Sequence, residues 1–315
     1  MLGTLSARTP YIGRFAPSPT GLLHMGSLMA AVASYLEAKR NAGVWLLRVE
    51  DLDPPREFPG ATQSFLDTLE RFGFCWDGPV VYQSQRHERY LEILQTLQEA
   101  GWVYPCSCTR KTLREDGLVG VDGLRYGGRC RGAGHVDGTG LAQRVKVPDQ
   151  LYAFVDQVQG RQQQNLAAMV GDFVLRRADL LWAYQLAVVV DDADCGVTHI
   201  VRGADLLDST PRQLFLQEIL GFSHPQYLHI PVITNLQGEK LSKQTMAPAL
   251  QSGVEAEQLW QALSLLWQSP PPRLRFVALA DVWEWAYQHW DPARIPQKRS
   301  VAVTFDDDFE YKFQQ

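Results

Sequence analysis

The sequence contains no apolar run close to the roughly 18 residues that a membrane-crossing helix needs, which argues against an integral helical membrane protein. The opening stretch Met1–Pro10 is short and mixed in character, unlike a secretory leader, so the expected location is the cytoplasm. Cysteine is scarce: five in 315 residues, an odd count, form a poor disulfide framework and point instead to a metal site or buried thiols. An excess of positive charge is also missing. With 30 Lys and Arg against 35 Asp and Glu, the net charge of −5 argues against wrapping nucleic acid non-specifically, because such binding rests on many cationic contacts to phosphate. A small, localised RNA contact remains compatible with that balance. Internal repeats are absent, and the acidic run Asp306-Asp307-Asp308 is of the kind that forms a solvated surface.

What is present is enough apolar material, 45% of residues, to bury a sizeable core and build two or three compact units. Tyr11–Phe15 reads as a strand, Met25–Arg40 as a helix stopping near Gly43, and Val44–Val49 as a second strand ended by Glu50-Asp51-Leu52-Asp53 and Pro54-Pro55. Strand, helix, strand is the signature of a parallel βαβ unit. Helices fit residues 60–72 and 85–100, the second with Tyr90, Leu91, Leu94 and Leu97 at helical spacing. From about Tyr104 to Gly134, Gly, Cys and Arg take over and apolar periodicity fades, which reads as a small insert. The run Leu186–Val190 before Asp191-Asp192 reads as a strand buried on both faces. Beyond it lie Trp260, Trp267, Trp283, Trp285 and Trp290 and the break Pro270-Pro271-Pro272, which suit helix packing more than an RNA stacking platform. The expected fold is α/β: a Rossmann-type parallel sheet divided into 1–103 and 181–238, an insert at 104–180, and a mostly helical region at 239–315.

In such a sheet, ligands bind beyond the carboxyl ends of the strands, where the first loop meets a helix N-terminus. His24-Met25-Gly26-Ser27 falls there. The helix end offers N–H groups and partial positive charge to a phosphate, Gly26 allows close approach to the backbone, and His24 can donate to a phosphoryl oxygen. A Gly-Ser pair before a helix is also commonly just a cap. Lys240-Leu241-Ser242-Lys243 follows a turn at residues 235–238, and two lysines with a serine can clamp a triphosphate, although the tetrapeptide alone is a common surface sequence. Cys106-Ser107-Cys108 and Cys130 supply three soft thiolates suited to tetrahedral Zn²⁺, with spacing irregular for a zinc knuckle, so buried thiols stay open as the other reading. His135 is the imidazole nearest this set, and Cys75 and Cys195 read as core residues.

Arg14-Phe15-Ala16-Pro17-Ser18-Pro19-Thr20-Gly21, the His-x-Gly element and Lys-Leu-Ser-Lys, in that order, resemble the class I aminoacyl-tRNA synthetases, and the Ala-Pro-Ser-Pro-Thr-Gly wording is similar to the glutamate subgroup. Residues 49–56 and 200–213 extend the resemblance, which covers roughly residues 8–250. Only about 70 residues follow the lysine loop, too few for a helical anticodon-binding domain. The chain therefore looks like the short paralogues of that subgroup, which attach glutamate to the queuosine base at the wobble position of tRNA(Asp) and not to a 3′ ribose. Asp53-Pro54-Pro55-Arg56 and Arg202-Gly203-Ala204-Asp205 favour the same choice.

The resemblance implies L-glutamate, ATP with Mg²⁺ and queuosine-bearing tRNA(Asp) as partners, and a monomer. It implies glutamate binding by Arg14, Phe15, Ala16, Pro17, Ser18, Glu50, Tyr184 and Arg202, with Glu50 on the α-ammonium and both arginines on the γ-carboxylate. This matches the elementary need of a dicarboxylic amino acid for guanidiniums and an acid. ATP falls to His24, Gly26, Ser27, Lys240 and Lys243, with His24 and Lys243 catalytic. One structural Zn²⁺ falls to Cys106, Cys108, Tyr126 and Cys130, with His135 the competing fourth ligand. Rival readings are an ordinary glutamyl-tRNA synthetase that charges the 3′ end of tRNA(Glu), and a small-molecule nucleotidyltransferase.

Overall fold

The structure is a computed structural model describing residues 10–121, 123–134, 138, 140–241, 248–305 and 311–313. It opens with β1 (Ile12–Phe15), α1 (Met25–Arg40) and β2 (Val44–Val49), the two strands parallel with Arg14 opposite Leu46. Gly43 makes this unit possible: a Cβ there would lie 2.4 Å from the Tyr11 carbonyl oxygen, the atom that receives the Val44 N–H at 2.9 Å. Helix α1 is apolar nearly all round because it is covered all round, by the sheet on one side and by C-terminal helices on the other.

Next come α2 (Ala61–Arg71), β3 (Val81–Tyr82), parallel to β2, and α3 (His87–Glu99), which buries Tyr90, Ile93, Leu94 and Leu97 at helical spacing. A second region follows with β4 (Val103–Cys106), α4 (Arg110–Asp116), β5 (Val119–Gly120), β6 (Gly123–Leu124), β7 (Ala142–Val145), β8 (Leu151–Asp156), β9 (Gly160–Asn165), α5 (Leu166–Met169) and β10 (Val174–Arg176). Strand β7 lies antiparallel between β4 and β10.

The chain re-enters the first layer through α6 (Tyr184–Asp194), β11 (His199–Gly203), α7 (Thr210–Leu220) and β12 (Gln226–Ile230), with β11 and β12 parallel. Strand β8 pairs in parallel with β12, so residues 151–165 of the expected insert belong to this sheet through β8 and its hairpin partner β9. Strand β11 stands beside β1: Thr198 N–H donates to the Ile12 carbonyl at 2.9 Å, and Tyr11 stacks on His199 at 4.0 Å.

Leu186–Val190, expected as a strand, is part of helix α6. A short apolar run carries no periodicity that separates a buried strand from a buried helix, and here α6 packs against α3 and α7 with Leu186–Val190 all buried. Tertiary burial overrides the β-branched composition.

The remainder comprises β13 (Val232–Thr234), α8 (Glu255–Leu265), α9 (Leu279–His289), β14 (Ser300–Phe305) and β15 (Tyr311–Phe313). Beyond its helices this region forms a separate three-stranded sheet, β14 pairing in parallel with β13 and antiparallel with β15. Two of the five tryptophans are core: Trp283 meets Tyr35 and Phe74 edge-on and donates to the Phe72 carbonyl at 2.7 Å, and Trp290 donates to Glu37 at 2.6 Å, while Trp260, Trp267 and Trp285 are half-buried. Cys75 is exposed and not the core thiol expected, whereas Cys195 is half-buried and packs against the core at the end of α6. Asp306-Asp307-Asp308 lies outside the described residues.

Candidate active site

The carboxyl ends of β1, β2, β11 and β12, the N-terminus of α1 and the start of α6 surround one cavity of about 460 Å³. Arg14, Phe15, Ala16, Pro17, Ser18, His24, Gly26, Ser27, Glu50, Tyr184, Arg202 and Lys240 all line it. Ser242, Lys243 and His135 lie outside the described residues.

At the helix end, the His24 Nδ1 accepts the Gly26 N–H at 3.1 Å, capping α1. An Nδ1 that accepts carries no proton, so the neutral ring holds its proton on Nε2. A Cβ on Gly26 would lie 3.1 Å from Cε1 and 3.2 Å from Nδ1 of His24, so glycine leaves room for the cap itself. Lys240 reaches Asp205 at 2.6 Å, and Leu241 N–H donates to the Ile233 carbonyl at 2.9 Å, which ties the start of the lysine loop to β13.

The acid-lined wall is built from charges that only the fold assembles. Asp192 of α6 accepts Arg14 through Nε (3.1 Å) and Nη2 (3.3 Å), and also Arg48 Nη1 (2.6 Å); Arg48 in turn reaches Glu50 at 3.2 Å. Burial pushes the Asp192 pKa up, but Arg14 and Arg48 outweigh it and hold the carboxyl below the usual aspartate range. For Glu50 the balance is opposite: burial outweighs Arg48 and Arg14 and raises it above the usual glutamate value.

Arg202 is surrounded differently. Its Nε donates to His229 Nε2 at 2.9 Å, Nη2 to Thr210 Oγ1 and Gln213 Oε1 at 2.8 Å each, and Nη1 to the Tyr184 hydroxyl at 3.4 Å. It is 5% exposed, and no carboxylate among the described residues forms an ion pair with it. A buried cation whose neighbours are neutral leaves positive potential in the cavity, where an anion is favoured. Asp156, His229, Arg48, Asp191 and Asp192 were not singled out by sequence reasoning. The pair Asp191-Asp192 at the end of an apolar run was the one visible signal.

A second cluster lies in the 104–180 region. The sulfurs of Cys106, Cys108 and Cys130 all lie within 4.8 Å of one another, and the Tyr126 hydroxyl is 3.5 Å from Cys106 Sγ and 4.0 Å from Cys108 Sγ. Sulfurs on a tetrahedral ion with bonds of about 2.3 Å stand about 3.8 Å apart, so the set fits such an ion. Burial pushes the Cys108 thiol up to about 11, and Arg144 donates to Cys106 Sγ at 3.3 Å with its guanidinium 4.1 Å over the Tyr126 ring.

A parallel sheet with its cavity at the strand ends, a histidine-capped helix and a tethered lysine loop define a class I synthetase-type catalytic domain, and the family model for the catalytic domain of class I tRNA synthetases (E and Q) matches residues 12–265. Such enzymes are ligases. Glutamyl-Q tRNA(Asp) synthetase of Neisseria gonorrhoeae is 53% identical over 295 residues, covering 93% of this chain and 99% of the relative. That of Chromobacterium violaceum is 55% identical over 287 residues (91% and 95%), and that of Pseudomonas aeruginosa 53% over 287 residues (91% and 96%). The chain belongs to the glutamyl-Q tRNA(Asp) synthetases. Glutamate-tRNA synthetase from Elizabethkingia anophelis shares the fold, with a TM-score of 0.76 at 24% identity over 92% of this chain and 67% of that one. No helix among the described residues is long and apolar enough to cross a membrane.

Proposed function

We propose that the protein activates L-glutamate with ATP to glutamyl-adenylate and transfers the glutamyl group to the queuosine base at the wobble position of tRNA(Asp). The relatives' names support the reaction. The observation that carries the substrate is Arg202, a buried guanidinium that meets only neutral groups in a cavity it shares with Arg14 and Glu50.

Arg14 and Arg202 are each gripped along the Nε and Nη2 side, so the γ-carboxylate of glutamate takes the Nη1 side, where Arg202 also donates to the Tyr184 hydroxyl at 3.4 Å. Glu50 takes the α-ammonium, Ser18 and Tyr184 complete the polar wall, and Phe15, Ala16 and Pro17 enclose the aliphatic part. The glutamate α-carboxylate then attacks the α-phosphorus of ATP in line; an O–P bond forms as pyrophosphate leaves. Positioning and stabilisation of charge on the phosphoryl oxygens supply the catalysis. His24 donates from Nε2, the α1 N-terminus offers the N–H groups near Gly26 and Ser27, and Lys240 and Lys243 neutralise the phosphates, with Mg²⁺ arriving on ATP. In the second step a hydroxyl of the modified base attacks the adenylate carbonyl, AMP departs, and its phosphate takes the proton. Cys106, Cys108, Tyr126 and Cys130 hold a structural Zn²⁺ that braces the insert. The enzyme works as a cytoplasmic monomer.

Two measurements test this. Pyrophosphate exchange with each of the twenty amino acids in the absence of RNA is expected to respond to glutamate alone. Glutamate is then expected to pass to queuosine-bearing tRNA(Asp) and not to the same tRNA lacking queuosine but with an intact 3′ end. Equal transfer to both would establish 3′ charging instead, and no transfer to any tRNA would leave a small-molecule nucleotidyltransferase.

A further inference from the structure

Behind Arg202 lie two residues that do not line the cavity. His229, on β12 directly opposite Arg202 on β11, is fully buried, and Asp156, at the end of β8, is 1% exposed. The Asp156 Oδ2 lies 2.6 Å from His229 Nδ1, and His229 Nε2 lies 2.9 Å from Arg202 Nε. A carboxylate only accepts and a guanidinium only donates, so one arrangement satisfies both contacts: a neutral imidazole with its proton on Nδ1 and a lone pair on Nε2. The electrostatics agree. Burial and the nearby Arg202 outweigh Asp156 and bring the His229 pKa down to about 4, while bonds from His229 and backbone N–H groups outweigh burial and hold Asp156 ionised.

We infer that Asp156 and His229 are positioning residues for glutamate recognition: Asp156 selects the imidazole tautomer, and that tautomer fixes the rotation of the Arg202 guanidinium. With Nε held by His229 and Nη2 by Thr210 and Gln213, the guanidinium plane cannot turn about its stem; Nη1, which donates to the Tyr184 hydroxyl of the cavity wall at 3.4 Å, is the edge left for the ligand. The inference rests on Arg202 binding the γ-carboxylate, as proposed above. It ties the specificity of the pocket to β8, a strand that joins the catalytic sheet through its pairing with β12.

The substitution Asp156→Asn separates tautomer control from packing. Asp156 Oδ1 accepts the Val158 and Gln159 N–H groups at 3.0 and 2.7 Å, so the asparagine oxygen stays with them and its NH₂ turns to His229. Nδ1 must then accept, the proton moves to Nε2, and an N–H faces the Arg202 N–H. The expected result is a glutamate KM raised about 10- to 100-fold, the size of a lost hydrogen bond to a charged group, with the ATP KM changed by less than about twofold. In ¹⁵N-histidine NMR the wild-type His229 is expected to show a protonated Nδ1 and a bare Nε2, and the variant the reverse.

A wild-type proton on Nε2 would overturn the inference without any variant. So would Asp156→Asn with an unchanged glutamate KM, or with glutamate and ATP affected equally. Arg202→Leu is the control for the underlying reading. If it leaves the glutamate KM unchanged, Arg202 is not the carboxylate anchor. If it raises the KM while Asp156→Asn does not, the anchor stands and the relay falls.

Discussion

Asp192→Asn keeps the volume of a buried side chain and removes its charge, which makes it a direct probe of the wall that holds Arg14. In the wild type, Oδ1 accepts from Arg14 Nε at 3.1 Å and Arg48 Nη1 at 2.6 Å while Oδ2 accepts from Arg14 Nη2 at 3.3 Å, with both side chains of the Arg14–Asp192 pair 4% exposed. An asparagine turns an N–H toward one of two guanidiniums and leaves them facing each other across a dry site. Breaking a buried pair in this way costs about 3–5 kcal/mol. With an unfolding entropy of about 2.1 cal/mol/K per residue, the melting temperature falls by about 5–8 °C, readable by calorimetry near neutral pH. The sign with pH follows from the depressed Asp192 pKa: its contribution is complete above the ordinary aspartate range, around pH 4 and higher, and is lost as pH drops through the lower folded value. The gap between wild type and variant is therefore expected to narrow on acidification. A variant melting within about 1 °C of wild type at neutral pH would refute the claim that Asp192 is the counter-ion of the wall.

Other perturbations address other parts. Elemental analysis of the purified protein is expected to find one zinc per chain, lost together with protease resistance of the insert in Cys130→Ser or after chelation; protein without zinc would end the metal assignment. Because burial raises the Glu50 pKa, the carboxylate proposed to meet the α-ammonium is lost as pH falls from a point above the ordinary glutamate value, so the glutamate KM should climb on acidification. Glu50→Gln should show a high KM with no such limb, and an identical limb in the variant would assign it elsewhere. Lys243→Ala should depress glutamate-dependent pyrophosphate exchange by about two orders of magnitude or more at unchanged melting temperature. Near-normal exchange would remove Lys243 from the chemistry.

Local order along the chain was legible in the sequence wherever a residue's role depends on its neighbours in sequence. The βαβ opening, the helix beginning at Met25 behind His24, and the strand-end positions of Arg14 and Glu50 follow from periodicity, breakers and capping, which act over a few residues. The three cysteines that share one cluster could be named from their spacing. What only the tertiary structure decided depends on contacts between distant segments. Leu186–Val190 is a helix because of what surrounds it. Asp192, on α6, meets Arg14 of β1 across 178 positions, and Asp156 reaches His229 across 73 because the parallel strands β8 and β12 place side by side residues that no local pattern links. Asp192 holds Arg14 directly and Asp156 meets Arg202 through His229, so the identity of the residues lining the cavity was written locally while their hydrogen-bond partners were set by the fold.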